Sequence, residues 1–290
     1  MPALPEVFTL GHSPDPDDAF MFYAMAEHKI DLRGYRFEHR LEDIQTLNER
    51  ALRGELHISA ISIHAYASVT GRYALLPCGA SMGDGYGPMI VAEAVGNSSS
   101  RLSDDEVRAW LRGRTVAVPG LMTSAYLALQ LFAGEFKHIV VPFDQIFEAV
   151  KSGRADAGLI IHEGQLTYAR AGFTKMLDLG EWWKRTTGLP LPLGGNVLRK
   201  DFPADVRRDL SAILRESIDY GLAHRAQAVR HSMPYARDMD ELLAGEFIGM
   251  YVNDYTLDYG ETGRAAIRKF LGDAEARGFV RKAVELEFVD

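Results

Sequence analysis

Short apolar runs alternate along the chain with amphipathic stretches, and this rhythm restricts the fold more than any other feature. Strands buried on both faces and separated by helical segments are the pattern of α/β sheets covered by helices. Strands are expected at residues 7–10, 35–40, 56–61, 89–94, 114–118, 139–141, 157–161 and 174–177, with helices in most of the intervals. A loop from Gly11 to Asp17 leads into a helix expected over residues 18–29, with Asp17 or Asp18 as its cap. After Gly195 the pattern turns helical, over residues 204–222, 225–231, 239–251 and 261–277. The longest apolar runs, such as Ala157 to Ile161, are strand-sized and far short of the roughly 20 residues that span a bilayer.

Two breaks interrupt the rhythm: Gly96-Asn97-Ser98-Ser99-Ser100, which reads as a linker, and Gly188 to Gly195, rich in Leu, Pro and Gly. With 290 residues, 47% of them apolar, the chain is long enough for two lobes. The expected division is a larger discontinuous lobe, residues 1–94 plus 191–290, and a smaller inserted lobe, residues 95–190. Two crossing strands would join them around a central cleft, where small ligands favour binding.

Charge narrows the partners. A net charge of −8 repels nucleic-acid backbones and anionic membrane surfaces, so neither is expected as a partner. The only cysteine, Cys78, permits no internal disulfide, and residues 1–10 resemble no export signal, so a cytoplasmic protein is expected. Nothing in the sequence sets an oligomeric state. The expected ligand is a small organic anion. In each half an apolar strand runs into a small-residue loop that opens a helix, around Ser13-Pro14 and around Thr123-Ser124-Ala125. Helix starts carry unpaired amides that hold carboxylates without Lys or Arg; two well-capped turns would have the same spacing.

His162 is the titratable residue that stands out, because it follows the apolar run ending at Ile161, and ligands in α/β sheets bind beyond the carboxyl ends of strands. A histidine there serves as a base, or simply bonds to backbone at a strand end. His12, Asp15, Asp17 and Asp18 gather within seven residues, but their spacing matches no EF-hand or zinc motif, so no metal is expected. Gly83 to Pro88 lacks the lysine of a phosphate loop; its glycines let backbone approach a ligand or make a plain turn. Ser62, Thr123 and Ser124 have no Gly-x-Ser-x-Gly context and read as ligand donors, not nucleophiles. Trp182, Trp183 and Tyr126 serve either to stack on an aromatic ligand or to fill the core.

Several strings together resemble the 1,4-dihydroxy-6-naphthoate synthase family of the futalosine route to menaquinone. They are Leu159-Ile-Ile-His-Glu-Gly164, Asp178-Leu-Gly-Glu-Trp-Trp183 and Thr187-Gly-Leu-Pro-Leu-Pro-Leu-Gly194. Ser13-Pro14, Phe20-Met-Phe-Tyr23, Thr46-Leu-Asn48, Ala65-Tyr66, Ala117-Val-Pro-Gly120 and Ser124-Ala-Tyr126 agree with them. The resemblance implies a two-lobed, periplasmic-binding-protein-like (type II) fold used as an enzyme. It implies a lyase that converts cyclic dehypoxanthine futalosine to 1,4-dihydroxy-6-naphthoate without redox cofactor or metal. By the same resemblance His162 matches the general base. Asn48, Ala60, Ile61, Ser62, Thr123, Ser124 and Ala125, with Ser13 and Pro14, match substrate-contacting positions. The first loop departs from the family, with Asp15, Asp17 and Ala19 in place of Cys, Asn and Thr, and Gln165 stands where arginine is frequent. These changes predict a cleft more negative by about three charges. The alternative functions are a solute-binding protein, a divergent paralogue binding a related small carboxylate, and dehydration of chorismate, whose family differs over residues 159–194.

Overall fold

A computed structural model describes residues 4–93, 102–280 and 284–289 of the chain; the linker expected at residues 96–100 lies outside them. Among the described residues eleven strands form two sheets. They are β1 (Phe8–His12), β2 (Phe37–Leu41), β3 (Ile58–Ser62), β4 (Tyr73–Leu75), β5 (Ser81–Gly83), β6 (Met89–Glu93), β7 (Thr115–Val118), β8 (Lys137–Val140), β9 (Ala157–Ile160), β10 (Phe173–Asp178) and β11 (Leu191–Arg199).

The first sheet runs β2-β1-β3-β11-β4, with β5 also paired to β11; the second runs β10-β6-β9-β7-β8. In each, parallel strands joined through helices sit beside antiparallel ones: β1 is parallel to β2 and β3, and β7 is parallel to β8 and β9. Strand β6 falls early in the chain but pairs with β9 and β10, so it belongs to the second sheet.

The clearest departure from the sequence pattern is β11. Residues read there as a break form a nine-residue strand that lies antiparallel to β3, pairing Gly194 with Ser62 and Asn196 with Ala60. Its proline, Pro192, and two glycines, Gly194 and Gly195, carry little strand propensity. Partners on both sides hold it, β3 on one and β4 and β5 on the other, with a register shift between Pro192 and Gly194. The expected long helix at residues 18–29 is two short ones, Pro16–Met21 and Tyr23–Ala26, interrupted at Phe22. The C-terminal helices are Ala204–Ala223, Arg225–Ser232, Glu241–Tyr251 and Gly260–Ala276, close to their sequence-derived limits.

One apolar cluster draws on both sheets: Ile61, Tyr73 and Val197 from the first meet Ile90, Val116 and Leu159 from the second. Trp182 and Trp183 lie in this cluster, and the Trp183 indole donates to Pro190 O at 3.1 Å, so they fill the core and do not face a ligand. Tyr126 packs on Phe136 and His138, also away from the cavity described below. The glycine loop before β6 makes a close backbone approach, though not to a ligand. A Cβ at Gly180 would overlap the Tyr86 carbonyl, so only glycine lets the helix Leu179–Thr187 start where it does.

Candidate active site

The carboxyl ends of β1, β3, β7 and β9 open onto one cavity, completed by β5, β11 and the helix Glu241–Tyr251. Ser13, Ala60, Ile61, Ser62, Thr123, Ser124 and Ala125, predicted from sequence, all line it. Its apolar wall comes mainly from Met21, Ile161, Leu193, Phe247 and Tyr251. Pro14, Asn48 and His162 are not among the lining residues.

Asn48 acts from behind the wall. Its Oδ1 accepts from the Ser62 N–H at 2.9 Å, and its Nδ2 donates to Ser62 Oγ at 2.9 Å and to Met122 O at 3.4 Å. The amide is fully buried and ties the end of β3 to the loop before the helix Ser124–Ala133. Pro14 contributes through its carbonyl, which accepts from Arg237 Nη2 at 3.1 Å.

The helix Ser124–Ala133 brings its first turn to the cavity. Thr123 Oγ1 accepts from Tyr126 N–H at 3.2 Å as the cap and donates to Gly120 O at 2.9 Å. Ser124 Oγ donates to Leu193 O at 2.5 Å and accepts from His64 N–H at 3.2 Å. Both hydroxyls are therefore engaged within the protein, a correction to their reading as ligand donors. Ser124 and Ala125, which line the cavity, are the first two residues of this helix, and their amides are among those with no carbonyl to bond to within it. Amides in this position receive a carboxylate.

The first loop is arranged differently from the sequence expectation. Asp15, not Asp17 or Asp18, occupies the cap position, and its side chain makes no capping bond. Asp15 Oδ1 instead pairs with Arg237 at 3.1 Å, and Asp18 Oδ2 accepts from the Ser13 N–H at 2.6 Å. Burial pushes the Asp18 carboxyl up to about 6, against the bonds from Ser13 that lower it. Burial, followed by the neighbouring Asp18 and Asp15, pushes Asp17 well above the usual carboxylate range. One aspartate is thus paired and two resist ionisation, so the loop does not add the full negative charge expected of it. Gln165, the fourth departure, is buried and accepts from the Tyr251 hydroxyl.

Arg237, Phe247 and Tyr251 were missed by sequence reasoning. All three come from the C-terminal helical segment, where Arg237 lies 222 residues beyond its partner Asp15 and Tyr251 lies 86 beyond Gln165, and no local pattern marks such a contact. Among the described residues no three His, Cys, Asp or Glu side chains gather as a metal-ligand set.

His12 and His39 sit at the base of the loop. His12 Nδ1 donates to Ser13 O at 3.1 Å, and its Nε2 accepts from His39 Nδ1 at 3.0 Å, an arrangement that needs the His12 ring neutral. Burial, then the adjoining His39, lowers His12 to about 3. A group whose folded pKa lies below its unfolded value of about 6.5 favours unfolding as pH falls through that unfolded value. Asp18 and Asp178, raised to about 6, act with the opposite sign over the same range. A His12→Asn variant is therefore expected to lose stability less steeply than the native chain between pH 7 and 5. Parallel thermal melts check this, and equal slopes would count against the His12–His39 pair as an acid-labile contact.

His162 follows β9 directly and is 9% exposed. Its Nε2 donates to Phe143 O at 3.1 Å, and its Nδ1 accepts from Gly164 N–H at 3.0 Å. Both nitrogens serve backbone groups, the structural use that the sequence left open, and His162 is not among the residues lining the cavity, though its neighbour Ile161 is. Burial lowers its pKa, with Asp15 opposing.

Two mixed sheets sharing a core, with the cavity beyond the strand ends, define a periplasmic-binding-protein-like fold. The periplasmic aliphatic sulphonate binding protein of Escherichia coli superposes with a TM-score of 0.65 at 13% identity, covering 97% of this chain and 90% of that one. The chain belongs to the menaquinone biosynthesis family, whose model matches residues 8–276. It is 38% identical to 1,4-dihydroxy-6-naphthoate synthase of Thermus thermophilus over 98% of this chain and all of that protein. A protein of Archaeoglobus fulgidus of known structure is 42% identical, with a TM-score of 0.87 over 96% of this chain and 100% of that one. No helix among the described residues is long and apolar enough to cross a membrane.

Proposed function

We propose that the protein is a cytoplasmic lyase that cleaves cyclic dehypoxanthine futalosine to 1,4-dihydroxy-6-naphthoate, with its ligand held between two lobes, each built on one sheet, so that β6 goes with the second lobe and not with residues 1–94 as the sequence division had it. The observation that carries this is the cavity itself. It is lined both by the first residues of the helix Ser124–Ala133, whose amides have no partner within the helix, and by the apolar side chains of Ile61, Leu193, Phe247 and Tyr251, which suits a carboxylate on a flat ring system. Synthase activity in a relative 38% identical over the full length supports the same reaction here.

In this mechanism the Ser124 and Ala125 amides orient the acid. Ser62, fixed by Asn48, sets the end of β3 against the substrate. His162 takes a proton from the substrate, and the electron pair released drives carbon–carbon cleavage towards the aromatic product. To do so the ring turns out of its bonds to Phe143 and Gly164, since Nδ1 is the nitrogen without a hydrogen and its lone pair is in use. Incubating purified protein with cyclic dehypoxanthine futalosine should produce the ultraviolet spectrum of a dihydroxynaphthoate. Binding without that spectrum would favour a solute-binding protein or a divergent paralogue instead.

A further inference from the structure

Beside His162 lies a carboxylate whose arrangement the binding cavity does not explain. Glu163 is 6% exposed; its Oε1 accepts from Arg237 Nη1 at 3.4 Å, and its Oε2 is buried with no hydrogen-bond partner among the described residues. That free oxygen is 3.7 Å from His162 Nδ1. Buried acceptors without a donor are rare because each forfeits its hydration. The resting ring cannot supply the donor: its hydrogen is on Nε2, committed to Phe143 O, and Nδ1 is itself accepting from Gly164. The donor would appear only when the ring gains a second hydrogen, and the nitrogen that gains it is Nδ1.

We propose that Glu163 is the positioning residue for the acid–base work of His162, its Oε2 receiving the N–H that forms at Nδ1 when the ring accepts the substrate proton. In that step the substrate's bond to hydrogen breaks, its electron pair stays on the substrate, and an Nδ1–H bond forms. When the protonated ring turns back, the imidazole is a cation beside an anion, and the Gly164 amide has lost its acceptor. Arg237 fixes the carboxylate by its other oxygen and itself bonds Asp15 and the Pro14 carbonyl. Burial opposes charge on each partner taken alone, lowering the imidazole and raising the carboxyl. Forming the two charges side by side offsets that penalty. The other groups facing the ring are Asp15, Asp144 and Arg237, with Phe143 and Phe147 packed edge-on.

This inference rests on the base role of His162, so Glu163→Gln is compared with His162→Gln in one assay. A carboxylate beside an imidazole raises its pKa, so its loss should move the acid limb of the kcat/KM profile to lower pH. We expect Glu163→Gln to lower kcat by about 10- to 100-fold with KM little changed and the limb displaced. Glu163→Asp should return the limb to its native position with kcat still below native. Native kcat and an unmoved limb in Glu163→Gln, with His162→Gln inactive, would overturn the inference alone. Native turnover in His162→Gln would instead remove the base reading beneath it. If Glu163→Gln does not accumulate folded, Glu163→Asp decides: reduced kcat with the limb in place supports the pairing, and native kcat overturns it.

Discussion

Replacing His162 by alanine is expected to lower kcat by about 10²- to 10⁴-fold, the usual contribution of a positioned general base, while KM stays near the native value. The split follows from where the ring sits. It lies beyond the cavity wall, bonded to Phe143 O and Gly164 N–H, so it contributes nothing to holding the ground state. Its removal touches binding only through the loop it supports, whereas proton removal loses its acceptor. Rates at saturating substrate measure kcat, and a binding titration with the product measures the cavity separately. Native kcat in the variant would show that the ring only stitches the end of β9 to residues 143–145. Loss of fold would give the same loss of rate, so a thermal melt accompanies the kinetics. About 1 kcal/mol of destabilisation per lost backbone bond is the expected scale.

The second large effect is at Asn48, through stability as much as binding. Asn48→Ala removes three hydrogen bonds at a fully buried position and leaves the Ser62 N–H without an acceptor. A buried donor left unsatisfied costs about 1–3 kcal/mol, and the vacated volume adds to that. A fall in Tm of roughly 5–10 °C follows for a chain of this size. The variant should also bind the naphthoate product more weakly, because Ser62 and Thr123 line the cavity and Asn48 is bonded to Ser62 and to Met122, which precedes Thr123. A native Tm would mean that Ser62 finds another acceptor, and undiminished affinity would separate the Ser62 strand end from the ligand.

Charge in the first loop shows why side-chain identity alone misjudged the site. Asp15, Asp17 and Gln165 were expected to leave the cleft short of positive charge. Arg237, from a distant helical segment, pairs with Asp15 and Glu163 together, and burial resists ionisation of Asp17 and Asp18. Both effects depend on what surrounds a carboxyl, and neither is written in the loop's own residues.

Sequence by itself determined the α/β class, nearly every strand of the second sheet, the long C-terminal helices and the three chain segments that line the cavity at Ser13, at Ala60 to Ser62 and at Thr123 to Ala125. Those features are local: apolar period, cap chemistry and short strings set them within a few residues. Tertiary structure alone decided that Leu191 to Arg199 is a strand, since pairing with β3, β4 and β5 outweighs its poor propensity. It also decided that Asn48 works from behind the wall, that the Thr123 and Ser124 hydroxyls are engaged within the protein, and that His162 rests against backbone beside an unpartnered Glu163 oxygen. Hydrogen-bond partners and burial are set by residues far apart in the chain, and a sequence pattern carries no distance between them.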